Sequence, residues 1–177
     1  DIDSESRELS DLVNESVQLA TDQRAAEPVS RVRLADVCEA TADRARRRYG
    51  RDISVDTDDS VVDGQPVALD RAVYNVIDNA AKFSPTGPIE VILRNGQISV
   101  SDRGPGLSPN DAARLFDRFY RADSARSLPG SGLGLAIVRE LVQAMGGQVE
   151  AETSSIGGAR LVARFPLAPA TAWAMWT

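Results

Sequence analysis

The chain has 177 residues, 42% of them hydrophobic and 26% charged, and carries a net charge of −6. That balance describes a globular chain long enough to bury a core, and its acidic surplus gives a nucleic-acid partner no electrostatic support. With no histidine and one cysteine, an intrachain disulfide, a zinc site of the usual kind and a Ser-His or Cys-His nucleophile pair are all excluded.

Residues 4–24 place Leu9, Leu12, Val13, Ser16, Leu19 and Ala20 at spacings of three and four. That period predicts an amphipathic helix whose stripe needs a partner helix to cover it. The start, Asp1-Ile2-Asp3-Ser4-Glu5, has no signal-peptide character, and no apolar run approaches the ~20 residues of a membrane span. The chain therefore reads as a cytosolic type. Asp22 to Pro28 reads as a charged linker. Arg31 to Leu34 predicts a short edge strand, and residues 35–48 a helix stopped at Gly50. Within that helix Cys38, beside Val37, reads as a small buried hydrophobe rather than a reactive thiol. Ile53 to Asp56 and Val61-Val62 are strand segments. Residues 66–83 form the strongest helix, with Leu69, Val73, Val76, Ile77 and Ala80 on one face and Pro66 in the first turn. Ile89 to Leu93 and Gln97 to Asp102 are strands joined by Asn95-Gly96, a strong hairpin signal. A short helix over 110–117, a polar loop over 121–131, and a helix over 132–145 stopped by Gly146-Gly147 follow. Gln148 to Ala151 and Ala159 to Phe165 form the last strand pair. The inventory predicts an α/β two-layer sandwich: a mostly antiparallel mixed sheet, three longer helices on one face, and a preceding amphipathic helix.

Four groups of residues carry chemistry. Asn75, Asn79 and Lys82 stand at i, i+4 and i+7 of one helix and so share a stripe at the margin of its apolar face. Asn is a poor helix former, so two in register need a reason. Either the amides pair along the helix, or their oxygens hold a hard cation such as magnesium while Lys82 meets phosphate. Lys82 is the one lysine among 20 basic residues. In Asp102-Arg103-Gly104-Pro105-Gly106, strand alternation with Ile98 and Val100 turns Asp102 towards the core. A buried carboxylate needs donors, which are either the following turn or an amine of a ligand lying on the sheet. Gly104 and Gly106 let backbone approach such a ligand.

Leu115 to Arg121 holds three aromatics in five residues, Phe116, Phe119 and Tyr120. Phe116 reads as a core plug under a long loop, and Phe119 as an anchor for one end of that loop. Arg118, Arg121 and Arg126 either reach phosphates or lie in solvent. Gly130-Ser131-Gly132-Leu133-Gly134-Leu135 opens a helix with alternate glycines. Free N–H groups there make an anion site, and Gly134 costs ~1 kcal/mol against Ala if it lies inside the helix. Neither a Rossmann fingerprint nor a P-loop is present.

Taken in order, these pieces resemble the catalytic domain of bacterial sensor histidine kinases, within the gyrase, Hsp90, histidine kinase and MutL ATPase superfamily. Asn75 to Ser84 resembles the N box, Asp102-x-Gly104-x-Gly106 the first glycine box, Phe116 to Phe119 the F box, and Gly130 to Leu135 the second glycine box. The likeness spans about residues 30–167. It implies a Bergerat-type sandwich that binds ATP and Mg2+. Asp102 would bond the adenine amino group, with Phe83 near the ring. Asn79 with Asn75 would hold magnesium, and Lys82 would meet phosphates. Gly132 and Gly134 would supply backbone donors and the hinge of a lid over residues 120–131, with Gly130, Ser131 and Leu133 in the same nucleotide-binding stretch. Gly104, Gly106, Arg118, Phe119 and Arg126 complete the implied nucleotide-binding set. The superfamily's ATPases carry a glutamate base where Asn75 stands, so the amide favours phosphoryl transfer over hydrolysis.

The family phosphorylates a histidine on a separate dimerisation hairpin, and this chain has none. Residues 1–27 resemble the end of that hairpin's second helix with its linker, 28–167 the ATP-binding domain, and 168–177 a tail. The resemblance thus implies a chain cut short, or one whose acceptor histidine comes from elsewhere. Gly157-Gly158-Ala159 departs from the G-x-G-T of a third glycine box, and its role stays open. Implied partners are the histidine-bearing domain of the same protein and a response regulator. The piece itself would be a monomeric cytoplasmic domain of a homodimer in the bacterial inner membrane. An anti-sigma-type serine kinase, or a nucleotide-free interaction module of the same fold, are the alternatives. The helix at 4–24 speaks against the first. The intact Asn79, Asp102 and glycine boxes speak against the second.

Overall fold

In a computed structural model the described residues are 27–120, 134–154 and 157–170. The chain runs β1 (Ser30–Arg33), α1 (Leu34–Tyr49), β2 (Ile53–Asp56), β3 (Val61–Gly64), α2 (Pro66–Phe83), β4 (Ile89–Arg94), β5 (Gln97–Ser101), α3 (Pro109–Arg114), α4 (Gly134–Ala144), β6 (Gln148–Thr153) and β7 (Ala159–Arg164). The helix expected over 4–24, the lid residues 121–131 with Arg121, Arg126, Gly130 and Ser131, the adjoining Gly132 and Leu133, and the tail from 171 onward lie outside the described residues.

The main sheet has five strands in the order β2-β4-β5-β7-β6, with β2 parallel to β4 and the other neighbours antiparallel. The expected mixed, mostly antiparallel sandwich is therefore present. A separate two-stranded ladder, β1 against β3, pairs Ser30 with Gly64 and Arg33 with Val61. It is joined by the chain beyond β7, where Ala168 donates to the Val61 carbonyl (2.8 Å) and Arg31 to the Pro169 carbonyl (2.5 Å).

Helix α2 buries Ala68, Leu69, Ala72, Val73, Val76, Ile77, Ala80 and Ala81. These recur at three and four residues, so one stripe meets the sheet while Asn75, Asp78 and Asn79 ride its margin. Opposite, Val91, Leu93, Ile98 and Val100 fill the inner sheet face. The contacts α1–α2 and α2–α4 hold the helical layer together, with α2 in its middle. Leu69 has no exposed surface, so Leu69→Ala costs about 2–5 kcal/mol. The β4–β5 turn has positive φ at both Asn95 (51°) and Gly96 (78°), the geometry that an Asn-Gly hairpin demands.

The helix expected over 110–117 ends at Arg114. From there the chain turns, with Asp117 donating to the Arg114 carbonyl (2.9 Å), because Phe116 leaves the helical path to plug the core at 6% exposure. Cys38 is fully buried, as its surroundings foretold.

Candidate functional site

Asp102 follows β5 directly and is 5% exposed. Its Oδ1 accepts from the Gly104 N–H (2.8 Å) and from the Ala159 N–H (3.1 Å), while its own N–H donates to the Ala159 carbonyl (2.9 Å). One oxygen thus serves the turn. Among the described residues nothing donates to the other, Oδ2. The turn-capping reading of the sequence therefore holds at Oδ1. Oδ1 closes the loop, and Oδ2 keeps acceptor capacity for an incoming donor.

Glycines let the backbone close around this carboxylate. At Gly158 (φ +79°) a Cβ would lie 2.1 Å from the Asp102 carbonyl oxygen and 2.8 Å from the Arg103 Cα, so no side chain fits. At Gly104 a Cβ would reach the Phe83 carbonyl at 3.1 Å and Ser84 at 3.4 Å. The end of α2 and the Asp102 loop are therefore in direct contact. Gly106 also approaches Gly158 (3.5 Å from a Cβ to its carbonyl). Sequence reasoning left Gly158 without a role. The adjacent glycines were the available signal.

Along α2 the stripe separates. Asn75 donates to the Gly134 carbonyl at 3.5 Å, a long contact that links α2 to α4. It does not pair with Asn79, whose amide makes no hydrogen bond among the described residues. Lys82 turns the other way, to Asp78 (3.0 Å). Asp78, 15% exposed, also receives the Tyr49 hydroxyl proton and lies 3.6 Å from Arg48, so it fastens α2 to α1. Burial and the Asp78 bond both push the Tyr49 hydroxyl well above its ordinary value. The i, i+4 spacing marks the Lys82 pair, whereas the Tyr49 and Arg48 contacts of Asp78 come only with α1.

At the other flank, Arg139 of α4 meets Asp117 at 3.0 Å and Arg118 lies 4.0 Å from Glu140. Phe119 is 44% exposed and adopts φ +65°, a costly conformation for a side chain with a Cβ. At Gly134 a Cβ would meet nothing within 4 Å, which leaves that backbone bare. The structure so brings Asp102, Gly104, Gly106 and Phe83 into one contact set, and Asn75 to Gly134. Arg118 stands on the α4 side, Phe119 is exposed, and Lys82 is engaged by Asp78.

No described group of three His, Cys, Asp or Glu could hold a metal ion. A cation beside α2 would rely on amide oxygens, water and the ligand's own oxygens, which is the manner of magnesium.

Such a mixed five-stranded sheet under a helical layer has the form of a Bergerat-type fold. The family model described as histidine kinase-, DNA gyrase B-, and HSP90-like ATPase matches residues 64–169. The signal transduction histidine-protein kinase/phosphatase MprB of Mycolicibacterium smegmatis is 40% identical over 166 residues, covering 89% of this chain and 34% of that protein. Its counterpart in Mycobacterium avium is also 40% identical, over 89% of this chain and 32% of the relative. The chain thus spans about a third of the curated relatives' length.

Among solved structures, a mycobacterial sensor histidine kinase MprB superposes with a TM-score of 0.74 at 36% identity, over 80% of this chain and all of that one. The ATP binding domain of PrrB from Mycobacterium tuberculosis gives 0.67 at 29% identity, over 81% of this chain and 100% of the other. The chain belongs to the histidine kinase-, DNA gyrase B- and HSP90-like ATPase family, and its matched region is of the ATP-binding kind found in sensor histidine kinases.

Proposed function

We propose that this chain binds Mg-ATP and passes the γ-phosphoryl group to a histidine on the dimerisation domain of its own protein, for relay to an aspartate of a response regulator. The observation that carries this reading is the divided Asp102 carboxylate: Oδ1 is spent on the loop that packs against the end of α2, and Oδ2 accepts nothing among the described residues. The adenine amino group is the donor that Oδ2 suits, with Phe83 and Gly106 at the ring's edge.

Asn79, whose amide makes no hydrogen bond among the described residues, and Asn75 supply oxygens for magnesium. The ion would neutralise phosphate charge. Lys82 reaches phosphate only by exchanging its Asp78 partner. Gly130, Ser131, Gly132, Leu133 and Gly134 offer backbone N–H groups to the triphosphate, with Arg118 and Arg126 as further cations and Phe119 at the lid's edge. An amide at position 75 cannot take a proton from water, so the site is built for transfer by positioning and charge neutralisation.

Residues 1–27 belong to the end of the dimerisation hairpin in this reading, and 28–167 form the catalytic domain. The 168–177 segment is a tail. The whole protein is a homodimer in the bacterial inner membrane with this domain in the cytoplasm, while the piece alone is a monomer. No helix among the described residues is long and apolar enough to cross a membrane.

The test supplies a separately produced histidine hairpin domain and γ-labelled ATP with magnesium. Label on the hairpin's histidine is expected. Nucleotide binding without transfer to any hairpin, or label on serine instead, would overturn the assignment.

A further inference from the structure

Helix α2 lacks a cap from its own neighbourhood. Gln65, at the N-cap position, makes no side-chain cap bond, and Pro66 occupies the first turn. The first N–H groups of a helix need acceptors from elsewhere. They come from Glu27, about 40 residues upstream. The Val67 N–H donates to its Oε1 (2.7 Å) and the Ala68 N–H to its Oε2 (3.3 Å). A carboxylate here also meets the positive end of the helix dipole. Gln65, 5% exposed, returns a bond from Nε2 to the Glu27 carbonyl (2.7 Å). The exchange resembles a capping box, with its two halves drawn from distant parts of the chain.

The neighbouring ladder tightens the arrangement. Glu27 lies just ahead of β1, whose Ser30 pairs with Gly64, the residue before Gln65. The chain coming into the domain is thus bonded to the residues that open α2 both through backbone and through two side chains. Had position 65 been a capping residue, α2 could start without help. Here the start of the helix depends on the segment that precedes the domain. The same rigid helix carries Asn75 and Asn79 two to four turns further on.

We propose that Glu27 is a positioning residue that fastens the incoming segment to the nucleotide-binding helix, so that displacement of that segment is passed to Asn75 and Asn79. This rests on the reading of α2 as the nucleotide helix. It assigns to Glu27 a link between the preceding segment and nucleotide affinity.

The experiment uses the whole 177-residue chain and the variants Glu27→Ala, Gln65→Asp and the pair together. Three quantities are read: amide exchange at Val67 and Ala68, trypsin cleavage after Arg31, and the Kd of magnesium with a non-hydrolysable ATP analogue. Glu27→Ala should speed exchange at both amides about three- to tenfold, hasten cleavage after Arg31, and weaken analogue binding several-fold. In the pair, the new carboxylate at position 65 caps the helix locally while both side-chain links to residue 27 are gone. Exchange should then recover, whereas cleavage stays fast and affinity stays low. Recovery of affinity together with helix protection would overturn the proposal, because Glu27 would then be a cap and nothing more. Unchanged cleavage in Glu27→Ala would overturn it as well. If the unaltered chain fails to bind the analogue, the nucleotide reading falls, while exchange and cleavage still decide whether Glu27 fastens the segment.

Discussion

The two sides of the candidate site are held by different forces. Around Asp102 the parts are locked by backbone: two N–H donors on one carboxylate oxygen, a strand-like pair with Ala159, and a glycine whose missing side chain lets Gly158 sit against the Asp102 carbonyl. Where residues 117–118 meet the outer face of α4, the described ion pairs lie in water, Arg139 with Asp117 and Arg118 with Glu140, all a third to nearly half exposed. Backbone contacts between close-packed elements have one geometry. Exposed ion pairs have many and are screened by salt. One side is therefore preformed, and the other can shift at small cost.

The sharpest way to break this contrast is Gly158→Ala. Its Cβ would stand 2.1 Å from the Asp102 carbonyl oxygen at a φ of +79°. Steric conflict and left-handed strain together cost about 3 kcal/mol or more. The melting temperature should fall by many degrees and nucleotide binding should be lost. A variant that melts like the parent would show the Asp102 side to be soft.

Asp102→Asn comes next. The retained amide oxygen still accepts from Gly104 and Ala159, but the open position loses its charged acceptor. Calorimetric titration with the ATP analogue should show affinity reduced roughly 10- to 100-fold with the fold intact. Equal affinity in both forms would remove Asp102 from the adenine contact.

Cys38 reports on global opening and so separates local from general effects. Burial, with smaller contributions from Glu39 and Asp58, pushes its thiol up to about 12. A native value above the ordinary one favours the protonated thiol in the fold. This group's contribution to stability is thus whole below the ordinary thiol pKa and fades as pH rises towards about 12. At neutral pH a disulfide reagent should label Cys38 only through unfolding. Labelling should be fast in Gly158→Ala and as slow as in the parent for Asp102→Asn. Rapid labelling of the parent would contradict the burial.

The smallest effect belongs to Asp117→Asn. Losing its two exposed pairs, with Arg139 and Arg114, should cost about 0.5–1 kcal/mol, and 1 M salt should erase most of the difference. A loss several times larger would mean that the α4 side is as rigid as the other.

Much of this frame was legible in the chain. The stripe of α2, the Asn95-Gly96 hairpin and the plugging Phe116 follow from local period and turn chemistry. Other features were not legible. Gly158 acts on Asp102 from across the β5–β7 ladder, and Glu27 caps a helix about 40 residues away. Asp78 looked like one more polar position on a helix margin until α1 placed Tyr49 and Arg48 against it.

By itself the sequence determined most of the described elements, the inward turn of Asp102 and the single face shared by Asn75 and Asn79, because each is set by dihedrals and spacings within a few residues. The tertiary structure alone decided which oxygen of Asp102 stays open, that Asp78 meets Tyr49 and Arg48, that β1 and β3 form their own ladder, and that α2 begins on Glu27. Those outcomes depend on which distant groups arrive within 3 Å of one another, and only packing sets that distance.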